Sequence, residues 1–90
     1  MPKFLCTHTL PPGEFTLDQV NQFAEAAQKD PEVRGYRSFG NLSEGKVICI
    51  MEAPSEKLVA EWFNKMKMPH DSIARIEFEG ERGVITEVKA

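Results

Sequence analysis

Gly45-Lys46-Val47-Ile48-Cys49-Ile50-Met51-Glu52-Ala53-Pro54 is the stretch on which the fold turns. Val47 to Met51 is an unbroken apolar run, stopped by glycine on one side and proline on the other, which predicts a strand over Lys46 to Ala53. Along a strand successive side chains face opposite ways, so Val47, Cys49 and Met51 share one face and Ile48 and Ile50 the other. Both faces are apolar. Just upstream, Val33 to Leu42 carries Tyr36 and Phe39 and ends at Ser43-Glu44-Gly45, which joins the two strands as a hairpin with a short glycine-containing loop.

Downstream of the hairpin, Pro54-Ser55 supplies a break and an N-cap. Leu58, Val59, Trp62, Phe63 and Met66 then recur at helical spacing opposite Lys57, Glu61 and Lys65. That predicts a helix over 56 to 67, closed by Pro69. Upstream, Thr16-Leu17-Asp18-Gln19 reads as a capping box, with Phe15 and Val20 placed as a hydrophobic staple. Leu17, Val20, Phe23, Ala24 and Ala27 continue it as a helix over 17 to 29, which Asp30-Pro31 ends. Lys3 to Leu10 is a β-favouring run halted by Pro11-Pro12-Gly13. From Ser72 the pattern alternates, Ala74, Ile76 and Phe78 on one side and Arg75, Glu77 and Glu79 on the other. Val84 to Val88 is a short fifth strand or a tail.

The element order is β-α-β-β-α-β, which predicts an α+β ferredoxin-like sandwich with strand order 4-1-3-2 and both helices on one face of an antiparallel sheet. Residues 1–90 form one such domain. The bare sheet face would then carry the second apolar side of the 46–53 strand. A contiguous apolar patch normally marks an interface, so the expectation is a homodimer of the dimeric α+β barrel type, packed sheet to sheet. The alternative is that the 84–88 tail or a loop covers that face within one chain.

At 90 residues the chain has room for one core, and 41% hydrophobic with 28% charged residues is the composition of a folded chain. A net charge of −3 lacks the basic footprint that phosphate backbones require, so no nucleic acid partner is expected. No apolar run is long enough for a membrane helix and no signal-peptide layout is present; the expectation is no membrane partner and a cytoplasmic location. The two cysteines, Cys6 and Cys49, lie inside apolar runs on adjacent strands. They read as reduced packing residues, with a redox pair as the sharper alternative.

No strong catalytic motif is present. If the 3–10 and 46–53 strands ran parallel, His8, Glu52, His70 and Asp71 would gather at one sheet edge, two imidazoles and two carboxylates suited to nickel or another divalent metal. A dimer could complete the shell. Tyr36 and Trp62, with His8, are candidate walls of a small-molecule pocket. Glu77, Glu79 and Glu81 are read as solvated acids that guard an edge strand.

Met1-Pro2-Lys3-Phe4-Leu5, the Gly45–Pro54 run and Met68-Pro69 through Ile73 together resemble a family of small ferredoxin-like proteins long catalogued as a domain of unknown function, one member type of which is described as nickel-binding. The resemblance covers most of the chain, with Glu52-Ala53-Pro54 its most telling piece. It implies a dimeric α+β barrel-like sandwich and raises nickel as the metal. The family pattern often carries a histidine where this chain has Trp62 and a charged residue where it has Thr7, positions that bear on the metal more than on the fold. The reading that results is a non-catalytic, small dimeric protein that binds a small ligand or a divalent metal, nickel first, at the sheet edge or between subunits. Its rivals are a cofactor-free dimeric α+β barrel enzyme of oxygenase or isomerase type, with His8 as base and Tyr36 as acid or orienting group, and a plain protein-interaction module.

Overall fold

The computed structural model describes residues 1–89. Eight elements follow one another: β1 (Lys3–Thr9), α1 (Leu17–Lys29), β2 (Arg34–Asn41), β3 (Lys46–Glu52), α2 (Glu56–Lys65), β4 (Ser72–Arg75), β5 (Phe78–Glu81) and β6 (Val84–Glu87). The first four strands in the main sheet lie in the order β2-β3-β1-β4, which from the opposite edge reads 4-1-3-2. Every neighbouring pair in it is antiparallel. α1 returns the chain so that β2 runs with β1, and the tight β2–β3 turn then reverses it, so β3 has to run against β1. The parallel arrangement of these two strands considered above is therefore corrected.

Local chemistry explains the helix starts. The Gln19 N–H donates to Thr16 Oγ1 at 3.3 Å while the Thr16 N–H donates to Gln19 Oε1 at 2.9 Å, the reciprocal capping box. Ser55 Oγ accepts from the Leu58 N–H at 3.3 Å and starts α2. The β2–β3 turn needs a glycine at Gly45: its φ is +74°, and an added Cβ would run into the Leu10 carbonyl. That closeness lets the Leu10 N–H donate to the Gly45 carbonyl at 2.7 Å, which ties the turn to the end of β1.

Both helices lie on one face of the sheet. Phe4, Cys6 and His8 from β1 and Val47 and Met51 from β3 are buried there, and Val59, Trp62 and Phe63 of α2 pack on that side. The other face carries Leu5, Ile48 and Phe39, which are 37%, 41% and 57% exposed. In register the row Phe39, Ile48, Thr7, Ser72 crosses all four strands, and beside it run Arg37, Ile50, Leu5 and Ala74.

Two expectations about the C-terminal third change. β4 turns its half-buried Ile73 toward the core, opposite Cys6, and sets Ala74 on the open face beside Leu5. The apolar residue nearest the strand's start therefore fixes its facing, and Arg75 lies on the helix side opposite Phe4. After Arg75 the chain leaves the sheet. Arg82 and Gly83 both have positive φ, 49° and 85°, the two-residue turn whose twist suits a hairpin, so β5 and β6 pair as a separate ribbon. Its acids are not merely solvated. Lys3 Nζ donates to Glu79 Oε2 at 2.7 Å, and Arg37 Nη1 stands 4.0 Å from Glu81 Oε1. The hydrogen bond with Glu79 raises the Lys3 pKa, and the same bond holds the Glu79 carboxyl below its usual range.

Candidate functional site

β1 delivers His8 to the helix-covered side at the end of the sheet where α2 feeds into β4. The ring is only 2% exposed. Its Nδ1 lies 2.7 Å from the Pro69 carbonyl, which can only accept, so Nδ1 carries the proton and donates. Nε2 then holds a bare lone pair, buried and without a partner. The edge of the imidazole meets the Phe63 ring at 4.8 Å, and the other side of that end is closed by His70, 5.4 Å from the same ring. Burial is the main force on His8 and pushes its pKa down; the bond to Pro69 and the Asp71 charge oppose that, and His70 adds to it. The imidazole is a neutral base at neutral pH.

Asp71 lies at the same edge. Its N–H donates to the Thr7 carbonyl at 2.7 Å and its Oδ2 accepts from Thr9 Oγ1 at 2.6 Å. Thr7 Oγ1 and Ser72 Oγ, 2.6 Å apart, carry this polar margin onto the open face of the sheet. His8, His70 and Asp71 thus come to one edge. Glu52 does not: it sits opposite Lys3 and Arg34, at the far end of β3 from His8, because β3 runs against β1. Only parallel strands would have brought it near.

The proposed ligand walls also divide. Tyr36 follows Gly35 at an irregularity in β2, and Lys3 Nζ stands 3.9 Å over its ring. Lys3 alternates with Leu5 and Thr7, on the face away from His8. Trp62 packs within the helix layer, 5.6 Å from Phe63, and lines a cavity between α1 and the sheet that Tyr36 also borders but His8 does not.

Cys6 and Cys49 are direct cross-strand partners, and both are free thiols. Burial pushes Cys6 up to about 12 and Cys49 up to about 11, so both are protonated and poor nucleophiles at neutral pH. The His8 tautomer and the cavity left no sequence signal: one depends on a proline carbonyl 61 residues away, the other on where small side chains meet across elements.

The sequence pattern of the family described as nickel responsive protein SCO4226-like matches residues 4–76. The chain belongs to this family. The match ends at residue 76, before the β5–β6 ribbon begins. No curated protein and no solved structure matches the chain. No helix among the described residues is long and apolar enough to cross a membrane.

The family name raises nickel, and the residues can be tested against it. An imidazole that donates Nδ1–H to a backbone carbonyl while baring Nε2 is the arrangement of a metal-binding histidine. Yet among the described residues no three of His, Cys, Asp and Glu gather closely enough to hold an ion.

Proposed function

We propose that the protein is a non-catalytic, nickel-responsive dimer in which a second copy packs on the open sheet face and completes a metal site at the β1–β4 edge. The observation that carries this reading is the adjacency of the two features. The exposed Leu5, Ile48 and Phe39 face runs through Thr7 and Ser72 directly to Asp71 and His70. A partner seated on that face reaches the edge and adds the donors that one chain lacks. His70 and Asp71 are the ligands this chain contributes from the surface. His8, whose Nε2 is buried, joins them only if the Met68–Asp71 connection shifts.

Light scattering tests the assembly: a particle of about twice the 10.2 kDa chain mass is expected, reduced to a monomer by Ile48→Glu. Calorimetric titration of the untagged protein with nickel tests the site, with an affinity loss of tenfold or more expected in His70→Ala. A monomer at micromolar concentration sinks the dimer. Absence of nickel heat in a confirmed dimer sinks the metal.

A further inference from the structure

A cavity of about 300 Å³ lies between α1 and the sheet. α1 contributes Val20, Phe23 and Ala24 to its walls and β2 contributes Tyr36 and Ser38. Ala27 and Gly35 also border it and approach closely, since a Cβ on Gly35 would stand 3.5 Å from the Ala27 Cβ. Aromatic rings of Phe23 and Trp62 border it. The walls cannot simply close, because both ends of α1 are tied. At its C-terminal end Gln28 Oε1 accepts from the Gly35 N–H at 2.9 Å. Ahead of its N-terminal end, the Gly13 N–H donates to the Leu42 carbonyl at 2.8 Å, which fixes the Pro11–Glu14 approach to the β2–β3 turn.

We propose that this cavity is a binding site for one uncharged, apolar small molecule with the bulk of about two aromatic rings. An apolar cavity of about 150 Å³ stays dry and already accepts benzene, and ligand pockets begin near 300 Å³. Water gains little in such a space because few polar groups line it. Charge is equally unwelcome. Of the charged residues along the walls, Arg37 has its guanidinium over the Phe39 ring and beside Glu81, and the Cys49 thiol at the base is neutral. Ser38 and Cys49, directly opposite each other on β2 and β3, are polar groups that could orient a ligand, as are Gln28 and Tyr36 on the same walls. The site lies on the helix side of the sheet, away from the face offered to a second copy, and shares the Phe63 ring with the His8 and His70 edge.

Trp62 is the single tryptophan and reports on the cavity directly. The experiment titrates the full chain with N-phenyl-1-naphthylamine, an uncharged fluorescent probe. Expected are saturation at one probe per chain, quenching of Trp62 emission by energy transfer, and at least fivefold slower alkylation of Cys49 by N-ethylmaleimide at saturation. Ser38→Phe, which places a ring in the space from an exposed edge strand, weakens the probe tenfold or more; Phe78→Ser, on the ribbon, changes it less than twofold. Unsaturable binding, or unchanged affinity in a folded Ser38→Phe variant, overturns the proposal. Should that variant fail to fold, Cys49 decides: alkylation at an unchanged rate with the probe saturating overturns it. The titration is made without nickel, so failure here is separate from failure of the metal reading.

Discussion

α1 and α2 present similar apolar stripes to the same sheet, and they are buried very differently. α2 buries Val59, Trp62 and Phe63, whereas α1 buries Ala27 alone and leaves Leu17 73% exposed. Spacing is equivalent in the two helices; side-chain volume is not. At the stripe positions that meet the sheet, α2 carries Val59, Trp62 and Phe63, all buried, whereas α1 carries a half-buried Phe23 beside alanines. A stripe therefore says which way a helix faces but not how tightly it sits. The stability of this domain is concentrated between α2, β1 and β3, and the α1 side is the region free to hold something else.

The largest test of that contrast is a pair of truncations. Phe63 touches both His8 and His70 and is 1% exposed, so Phe63→Ala is expected to cost about 3–5 kcal/mol, enough to unfold a domain of marginal stability. Phe23→Ala removes an equal ring from the half-buried wall of α1, where the atoms lost already face a cavity, and is expected to cost about 1–2 kcal/mol. Chemical denaturation of both variants checks this. Equal costs would mean that α1 is packed as firmly as α2.

What the sequence disclosed follows the same division. The helix limits came from Thr16, Ser55 and the prolines, and the strand pairing from the hairpin at Gly45, because each is decided by interactions within a few residues. The facing of β4 and the separation of β5–β6 were missed, since Ile73 against Cys6 and the Arg82-Gly83 turn compete with an alternation that reads equally well in either register. Of the four residues expected at the metal edge, His8, His70 and Asp71 lie at that end of the sheet without forming a cluster of ligands, and Glu52 lies at the other end because of one wrong strand direction. No pattern in the chain could indicate that the bulk of α1 falls short of the gap it spans.

His8 gives a pH test at the boundary between the two regions. Its folded pKa lies below the ordinary 6.5, chiefly because burial disfavours the cation. The unfolded chain therefore binds the extra proton as pH falls below about 6.5, and stability is present above that range and lost on acidification, at no more than about 1.4 kcal/mol per pH unit. Thermal unfolding from pH 7.5 to 5 should show this decline. In His8→Phe, which keeps the edge contact with the Phe63 ring and cannot titrate, most of the slope should vanish. A slope unchanged by the substitution would place the acid sensitivity in the carboxylates instead.

The smallest effect separates the helices most cleanly. Thr16→Ala and Ser55→Ala each delete one oxygen that accepts a first-turn N–H, so each is expected to cost about 1 kcal/mol. Where that loss appears should differ. The first turn of α2 is held by Val59 packing one turn further on, so its amides open only when the whole domain does, and Ser55→Ala should lower global stability while leaving local exchange nearly as it was. The first turn of α1 has exposed Leu17 and no fully buried neighbour; its capping box is the main restraint on it. Thr16→Ala should thus speed hydrogen exchange at 18–21 several-fold beyond the global change. Equal local acceleration in both helices would show that capping, not packing depth, governs how each end opens, and the contrast between the two sides of the core would then rest on the truncations alone.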